Sequence, residues 1–172
     1  LRQLGDDWRT WPIEAQIMLR DEYRRRRGGV DTGRILGIEL HAAQRQMVQE
    51  AKRFNVACCG RRMGKSILGE ERVIETLLHG KPASWMSPNY RSLGESWRDL
   101  KRVLLPITKE KSEQEHRIDV NTGGVLECWS LDNPDAPRGR KYQRIVIDEA
   151  AMVPYLGEAW QASIEPTLLD YQ

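Results

Sequence analysis

The sequence is poor in several things, and each shortage excludes something. Lysine plus arginine number 27 against 25 aspartate plus glutamate, a net charge of +2. That near-balance excludes a polycation holding nucleic acid by bulk charge and leaves room only for a local basic surface. Long apolar runs are missing, which excludes a transmembrane helix. The opening residues, Leu1-Arg2-Gln3-Leu4-Gly5-Asp6-Asp7, contain no apolar stretch of the kind a secretory signal needs. The first residue is not Met, so we expect the sequence to begin inside a longer polypeptide. Cysteine is scarce: Cys58, Cys59 and Cys128 are odd in number with two adjacent, a poor disulfide framework that reads as reduced and intracellular. Histidines are scattered at 41, 79 and 116 and no Cys-x-x-Cys pair exists, so the pattern of a zinc site is absent. Repeats and low-complexity tracts are also lacking.

What is present is an ordinary globular mixture. Of the 172 residues 40% are hydrophobic and 30% charged, a length for one domain with a real core and no need of staples. Residues 1–34 read as a helical lead and linker. Pro12 suits a first helical turn, Ile13, Ile17 and Tyr23 form a weak stripe, and Arg24 to Arg27 read as the solvated end of that helix. Gly28-Gly29 marks the linker, and the compact domain is expected over 35–172.

From Ile35 onward the texture alternates as in an α/β fold. Helix is expected over Leu40 to Phe54, Gly64 to Leu78, and around Leu93, Trp97, Leu100 and Leu104, closed by Pro106. Strands are expected at Asn55 to Cys59, Ala83 to Met86 and Arg144 to Ile147. Residues 116–130 read as a hairpin turning at Asn121-Thr122-Gly123-Gly124. The last twenty or so residues read as loop and short helix. Six tryptophans suit core and interface anchoring better than base stacking.

Two motifs carry chemistry. The apolar segment Asn55 to Cys59 runs into Gly60-Arg61-Arg62-Met63-Gly64-Lys65-Ser66 and then a helix. In that context backbone N–H groups curl around a phosphate, Gly64 permits close approach, and the helix end adds a favourable field. Lys65 is placed to reach the β- and γ-phosphates and the Ser66 hydroxyl to hold Mg²⁺. The usual first glycine of G-x-x-x-x-G-K-[ST] is replaced by Cys59, with a glycine one place later. The second motif is Ile145-Val146-Ile147-Asp148-Glu149, a strand with two acids at its carboxyl end, where open α/β sheets bind ligands. Asp148 is the candidate magnesium holder and Glu149 the candidate general base. The acidic motif alone is weak; in this order and spacing the two together predict a P-loop NTPase using ATP and Mg²⁺.

With both motifs in place, the chain resembles the ATPase domain of the large terminase subunit of tailed double-stranded DNA phages, over roughly residues 35–169. Phosphate loops of that family commonly read Gly-Arg-Gln-x-Gly-Lys-Ser, without the first standard glycine; Arg62 departs where Gln is commoner. Leu40-His41-Ala42-Ala43-Gln44 is similar to the family's adenine-reading glutamine element, Met86-Ser87-Pro88-Asn89-Tyr90 to its segment after the second strand, and Trp160 with Ile164-Glu165-Pro166-Thr167 to a later one. Asp132-Asn133-Pro134-Asp135-Ala136-Pro137-Arg138-Gly139-Arg140 lies where the family places an arginine finger acting on a neighbouring subunit. The resemblance implies an ASCE/RecA-like P-loop fold with a mostly parallel sheet flanked by helices, Arg138 as the finger with Arg140 in reserve, Gln44 as the base reader and Arg61 as a γ-phosphate sensor. It also implies double-stranded viral DNA, portal or procapsid, and small terminase subunit as partners. A homo-oligomeric ring, no membrane, and the host cytoplasm as location follow from it too.

Bland readings stand beside these. Arg138 could pair with Asp132 or Asp135, Arg61 could be an exposed loop arginine, and Gln44 a helix-surface residue. Two other functions fit part of the motif set. A superfamily 2 helicase lobe also couples a glutamine element, a P-loop and Asp-Glu, but takes its arginines from a second lobe. A nucleotide-binding scaffold without turnover has no use for Glu149. The class also implies that the strand lying between the phosphate-loop strand and the Asp-Glu strand comes after the latter in sequence. We therefore expect the polypeptide to continue past Gln172, with that strand and a metal-dependent nuclease domain in the continuation.

Overall fold

The computed structural model describes residues 38–171, so the expected helical lead lies outside the described residues. Its centre is a five-stranded sheet in the order β2-β3-β4-β1-β5. β1 (Ala83–Ser87) is central among three parallel strands, with β4 (Val125–Ser130) on one side and β5 (Arg144–Ile147) on the other. β3 (Arg117–Val120) joins β4 antiparallel as the expected hairpin, and β2 (Thr108–Ser112) extends it antiparallel at the edge. The sheet is thus mixed: parallel around β1, antiparallel beyond β4.

Strand alternation divides the core between the two faces. On one face Trp85, Leu126, Cys128 and Val146 meet two helices, α2 (Lys65–Leu78) and α3 (Tyr90–Leu104). α2 contributes Val73, Ile74 and Leu77, and α3 contributes Leu93, Trp97, Leu100 and Leu104, at the helical spacing the sequence displayed. Full burial of each such side chain stabilises by about 1.5–3 kcal/mol. α3 starts where Asn89 accepts a hydrogen bond from the Ser92 amide at 3.0 Å. It tightens into a 3₁₀ turn at Leu105–Ile107, where Pro106 cannot continue it. α2 crosses β1 and β5 closely at Gly69, whose added Cβ would lie 3.0 Å from both Trp85 and Val146.

On the other face Met86, Leu131, Tyr142, Val153, Ala159 and Ile164 form a second cluster, flanked by Trp129, Ile145 and Ile147. Its cover is the C-terminal segment: a turn at Ala150–Met152, α4 (Leu156–Ala159), a π turn (Trp160–Ile164) and a 3₁₀ stretch (Glu165–Tyr171).

Two expectations are corrected. The first helix, α1, spans only Ala42–Glu50, because Lys52 and Asn55 close a turn through reciprocal bonds: the Lys52 amide donates to Asn55 Oδ1 at 2.7 Å, and Asn55 Nδ2 donates to the Lys52 carbonyl at 2.6 Å. Residues 55–59 form no strand; Val56 is 96% exposed and the segment pairs with no strand among the described residues. An apolar run becomes a strand only when another backbone lies alongside it, and among the described residues β5 has only β1 beside it. No helix among the described residues is long and apolar enough to cross a membrane.

Candidate nucleotide site

Residues 60–64 turn from the extended segment into α2. Arg62 (φ 64°) and Gly64 (φ 72°) are both left-handed. Gly64 is the N-cap of α2 and no side chain caps that end, so its first N–H groups are available to an anion. α1 braces the loop from behind. Gln44 Nε2 donates to the carbonyls of Met63 (3.3 Å) and Gly64 (2.9 Å), and its Oε1 accepts from the His41 amide at 2.9 Å. His41 completes a capping box: Nδ1 accepts from the Gln44 amide at 3.4 Å while Nε2 donates to the Met63 carbonyl at 3.2 Å. A Cβ at position 64 would sit 2.5 Å from Gln44 Nε2, so glycine is required there for space as well as for backbone angle. Gln44 is only 3% exposed and both its N–H groups are committed to the loop. In this structure its amide holds the phosphate loop rather than facing outward toward a base.

The loop and the acidic pair meet. Ser66 Oγ donates to Asp148 Oδ2 at 3.4 Å across 82 residues of sequence, and Lys65 Nζ donates to the Cys59 carbonyl at 3.4 Å. Asp148 Oδ1 accepts from the Glu149 amide at 3.1 Å. Burial raises the Asp148 carboxyl above its usual range, with that amide opposing the rise. Glu149 is exposed and held at φ 49°, a left-handed conformation costing a non-glycine residue roughly 1–2 kcal/mol. A hydroxyl and a half-buried carboxylate are hard oxygen donors of the kind Mg²⁺ takes, with phosphates and water completing its shell. No group of three or more His, Cys, Asp or Glu that could hold a metal ion converges among the described residues.

One turn along α2 from Ser66, buried Glu70 faces Asp99 and Arg102 of α3 and Asp148. Burial, then Asp99, push its carboxyl up to about 7.

The two arginine candidates lie in the loop between β4 and β5. Arg138 is 65% exposed and touches Asp135 only loosely, at 3.6 Å. Arg140 is committed: its guanidinium lies 3.3 Å from Glu127 and 5.5 Å from the centre of the Trp129 ring. Asp132 is engaged by other groups, accepting from the Tyr90 amide at 3.0 Å and from Ser130 Oγ at 2.8 Å. Arg61 and Arg62 are exposed, and Arg61 forms no ion pair among the described residues.

The structure therefore brings the loop residues Gly60, Arg61, Arg62, Met63, Gly64, Lys65 and Ser66 to Asp148 and Glu149, with Gln44 behind the loop, and gives Arg138 no partner in that group. Sequence reasoning missed His41 as a brace and Glu127 as the partner of Arg140. The signal for Glu127 was present: a lone acid inside Val125-Leu126-Glu127-Cys128-Trp129 needs a counter-ion if that strand is buried.

Comparison with known proteins agrees with this geometry. No protein-family model matches the chain. It is 28% identical over 120 residues to the terminase large subunit of Escherichia phage T5, covering 67% of this chain and 27% of that protein. It is 29% identical over 157 residues to the terminase large subunit of Thermus phage G20c, covering 78% of this chain and 32% of that one. The chain thus spans about a third or less of these curated relatives. Among solved structures, the large terminase ATPase domain of Thermus phage P74-26 superposes with a TM-score of 0.61 at 24% identity, covering 80% of this chain and 63% of that domain. An arginine-to-alanine mutant of the same domain gives a TM-score of 0.62. With a phosphate loop and an acidic pair joined at Ser66 and Asp148, the chain has the P-loop fold of a large-terminase ATPase domain and resembles phage terminase large subunits in sequence.

Proposed function

We propose that this chain is the ATPase motor domain of a viral DNA-packaging terminase large subunit, hydrolysing ATP to drive double-stranded DNA into a procapsid. The observation that carries the reading is the Ser66–Asp148 contact, which joins the two motifs at the uncapped start of α2. In this reading the partners are double-stranded DNA, portal, small subunit and further copies in a ring, with the host cytoplasm as setting.

In this reading the N–H groups of residues 60–66 bind the phosphates and Lys65 leaves the Cys59 carbonyl to reach the terminal ones. Ser66 and Asp148 hold Mg²⁺, which when bound neutralises charge on the phosphate oxygens. Glu149 orients the attacking water and takes its proton. Arg61 senses the γ-phosphate from within the loop. Arg138 serves a neighbouring subunit, because it is exposed and held only loosely, by Asp135 at 3.6 Å. Arg140 is the poorer finger, since Glu127 and Trp129 already hold it. The test is a pair of variants assayed for ATP binding and for DNA-stimulated hydrolysis with portal present. Lys65→Ala should lose nucleotide affinity; Glu149→Gln should keep it and lose about 10²–10⁴ in turnover. Hydrolysis by Glu149→Gln at the parental rate would remove the general-base assignment.

A further inference from the structure

Arg140 occupies a built setting whose purpose the nucleotide chemistry does not explain. Glu127 points from β4 into the second core face with its side chain only 8% exposed. Its Oε2 accepts from the Tyr142 hydroxyl, and Trp129 Nε1 donates to that same hydroxyl at 2.8 Å. Burial, followed by Glu127, raises the Tyr142 pKa far above the usual phenol range, so the phenol remains a donor. Oε1 faces two guanidinium groups, Arg140 at 3.3 Å and Arg117 at 3.7 Å. Arg117 is already engaged in a two-pronged bond to Asp119, Nε to Oδ2 at 2.9 Å and Nη2 to Oδ1 at 2.8 Å. The counter-ion that belongs to Glu127 is therefore Arg140, and a buried carboxylate holds such a partner firmly because losing it strands a charge. Trp129 closes the other side with a cation–π contact.

The consequence falls on the loop. Residues 132–140 are fastened at the start by Asp132 to Tyr90 and Ser130, midway by Ser163 Oγ donating to Asp135 at 2.6 Å, and at the end by Arg140. Arg138 lies between the last two fastenings, two residues from the clamp. We propose that Arg140 is a positioning residue: clamped between Glu127 and Trp129, it fixes the loop from which Arg138 reaches a nucleotide held by a second copy of the chain. This assignment rests on the reading in which Arg138 acts in trans.

The test uses mixed oligomers of the native polypeptide. Arg138→Ala protein supplies intact sites without a finger, and Glu149→Gln protein supplies fingers without a working site. Recovered ATPase activity in the mixture reports the shared interface. Adding Arg140→Gln to the Glu149→Gln partner should lower the recovered kcat at least tenfold with KM for ATP within twofold. Adding it to the Arg138→Ala partner should change kcat less than twofold. Arg140→Lys on the finger-donating partner should restore part of the loss, keeping charge without the planar fork. Because Arg140→Gln strands Glu127, the double variant Arg140→Gln/Glu127→Gln is run alongside; it should unfold at the parental temperature and keep the loss in kcat. No recovery in the starting mixture overturns the trans reading and this assignment with it. Recovery that Arg140→Gln leaves intact, or lowers equally from either partner, overturns the positioning role alone.

Discussion

Glu70→Gln should stabilise the chain at alkaline pH and leave it unchanged in acid. Glu70 is 9% exposed and faces two carboxylates, Asp99 and Asp148, against one guanidinium, Arg102. Its folded pKa of about 7 lies above the ordinary 4.5, so between those pH values the folded chain keeps a proton that the unfolded chain has released. Stability therefore falls as pH rises through that window and stays low above it. The displacement corresponds to roughly 3 kcal/mol. Glutamine has the same shape and no charge, so the variant escapes the loss. For a chain of this size about 2–4 °C in Tm accompanies each kcal/mol, giving a gain of roughly 6–12 °C at pH 8 and almost none below pH 4.5. Thermal unfolding of both proteins across pH 4–8 in EDTA reads this directly. A Tm difference that does not vary with pH, or a variant less stable than its parent at pH 8, would refute the burial argument.

Other outcomes follow from the same geometry. Gln44→Ala should weaken ATP and GTP binding by the same factor, measured by titration calorimetry, because the amide braces the loop; a selective loss of ATP binding would instead show a base reader. Gly69→Ala should destabilise by about 1–3 kcal/mol in urea unfolding, because the new methyl meets Trp85 and Val146. Arg138→Ala should lower the assembled ATPase rate by about 10³ or more with nucleotide binding intact, read by single-turnover hydrolysis on the assembled complex.

What was legible in the sequence was whatever depends on local pattern. α2 and α3 announce themselves by apolar spacing, and Asn89 and Pro106 bound α3 by cap and ring chemistry. Ser66 and Asp148 were readable from local context, the one where a glycine-bearing loop runs into α2 and the other where an apolar strand ends in acids. What failed depends on a partner elsewhere. Thr108-Lys109-Glu110-Lys111-Ser112 has no strand pattern and becomes β2 only because β3 lies beside it, with a bulge between Thr108 and Glu110. Asn55 to Cys59 has the pattern and lacks a paired neighbour. The Glu127–Arg140 clamp needs the β3–β4 register and the return of the chain at Tyr142, neither of which a spacing rule encodes.

The sheet's unequal burial has a mechanical consequence for the site. β1 is buried at every position, whereas each of the four residues of β5 is only partly covered. Local opening follows such burial, so compliance in the sheet is graded, stiff at β1 and soft at β5. Lys65 and Ser66 ride α2, which lies across both strands at Gly69. Asp148 and Glu149 follow directly from the soft strand. The distance between the two halves of the site is thus set at the less covered strand, the one that carries the acids.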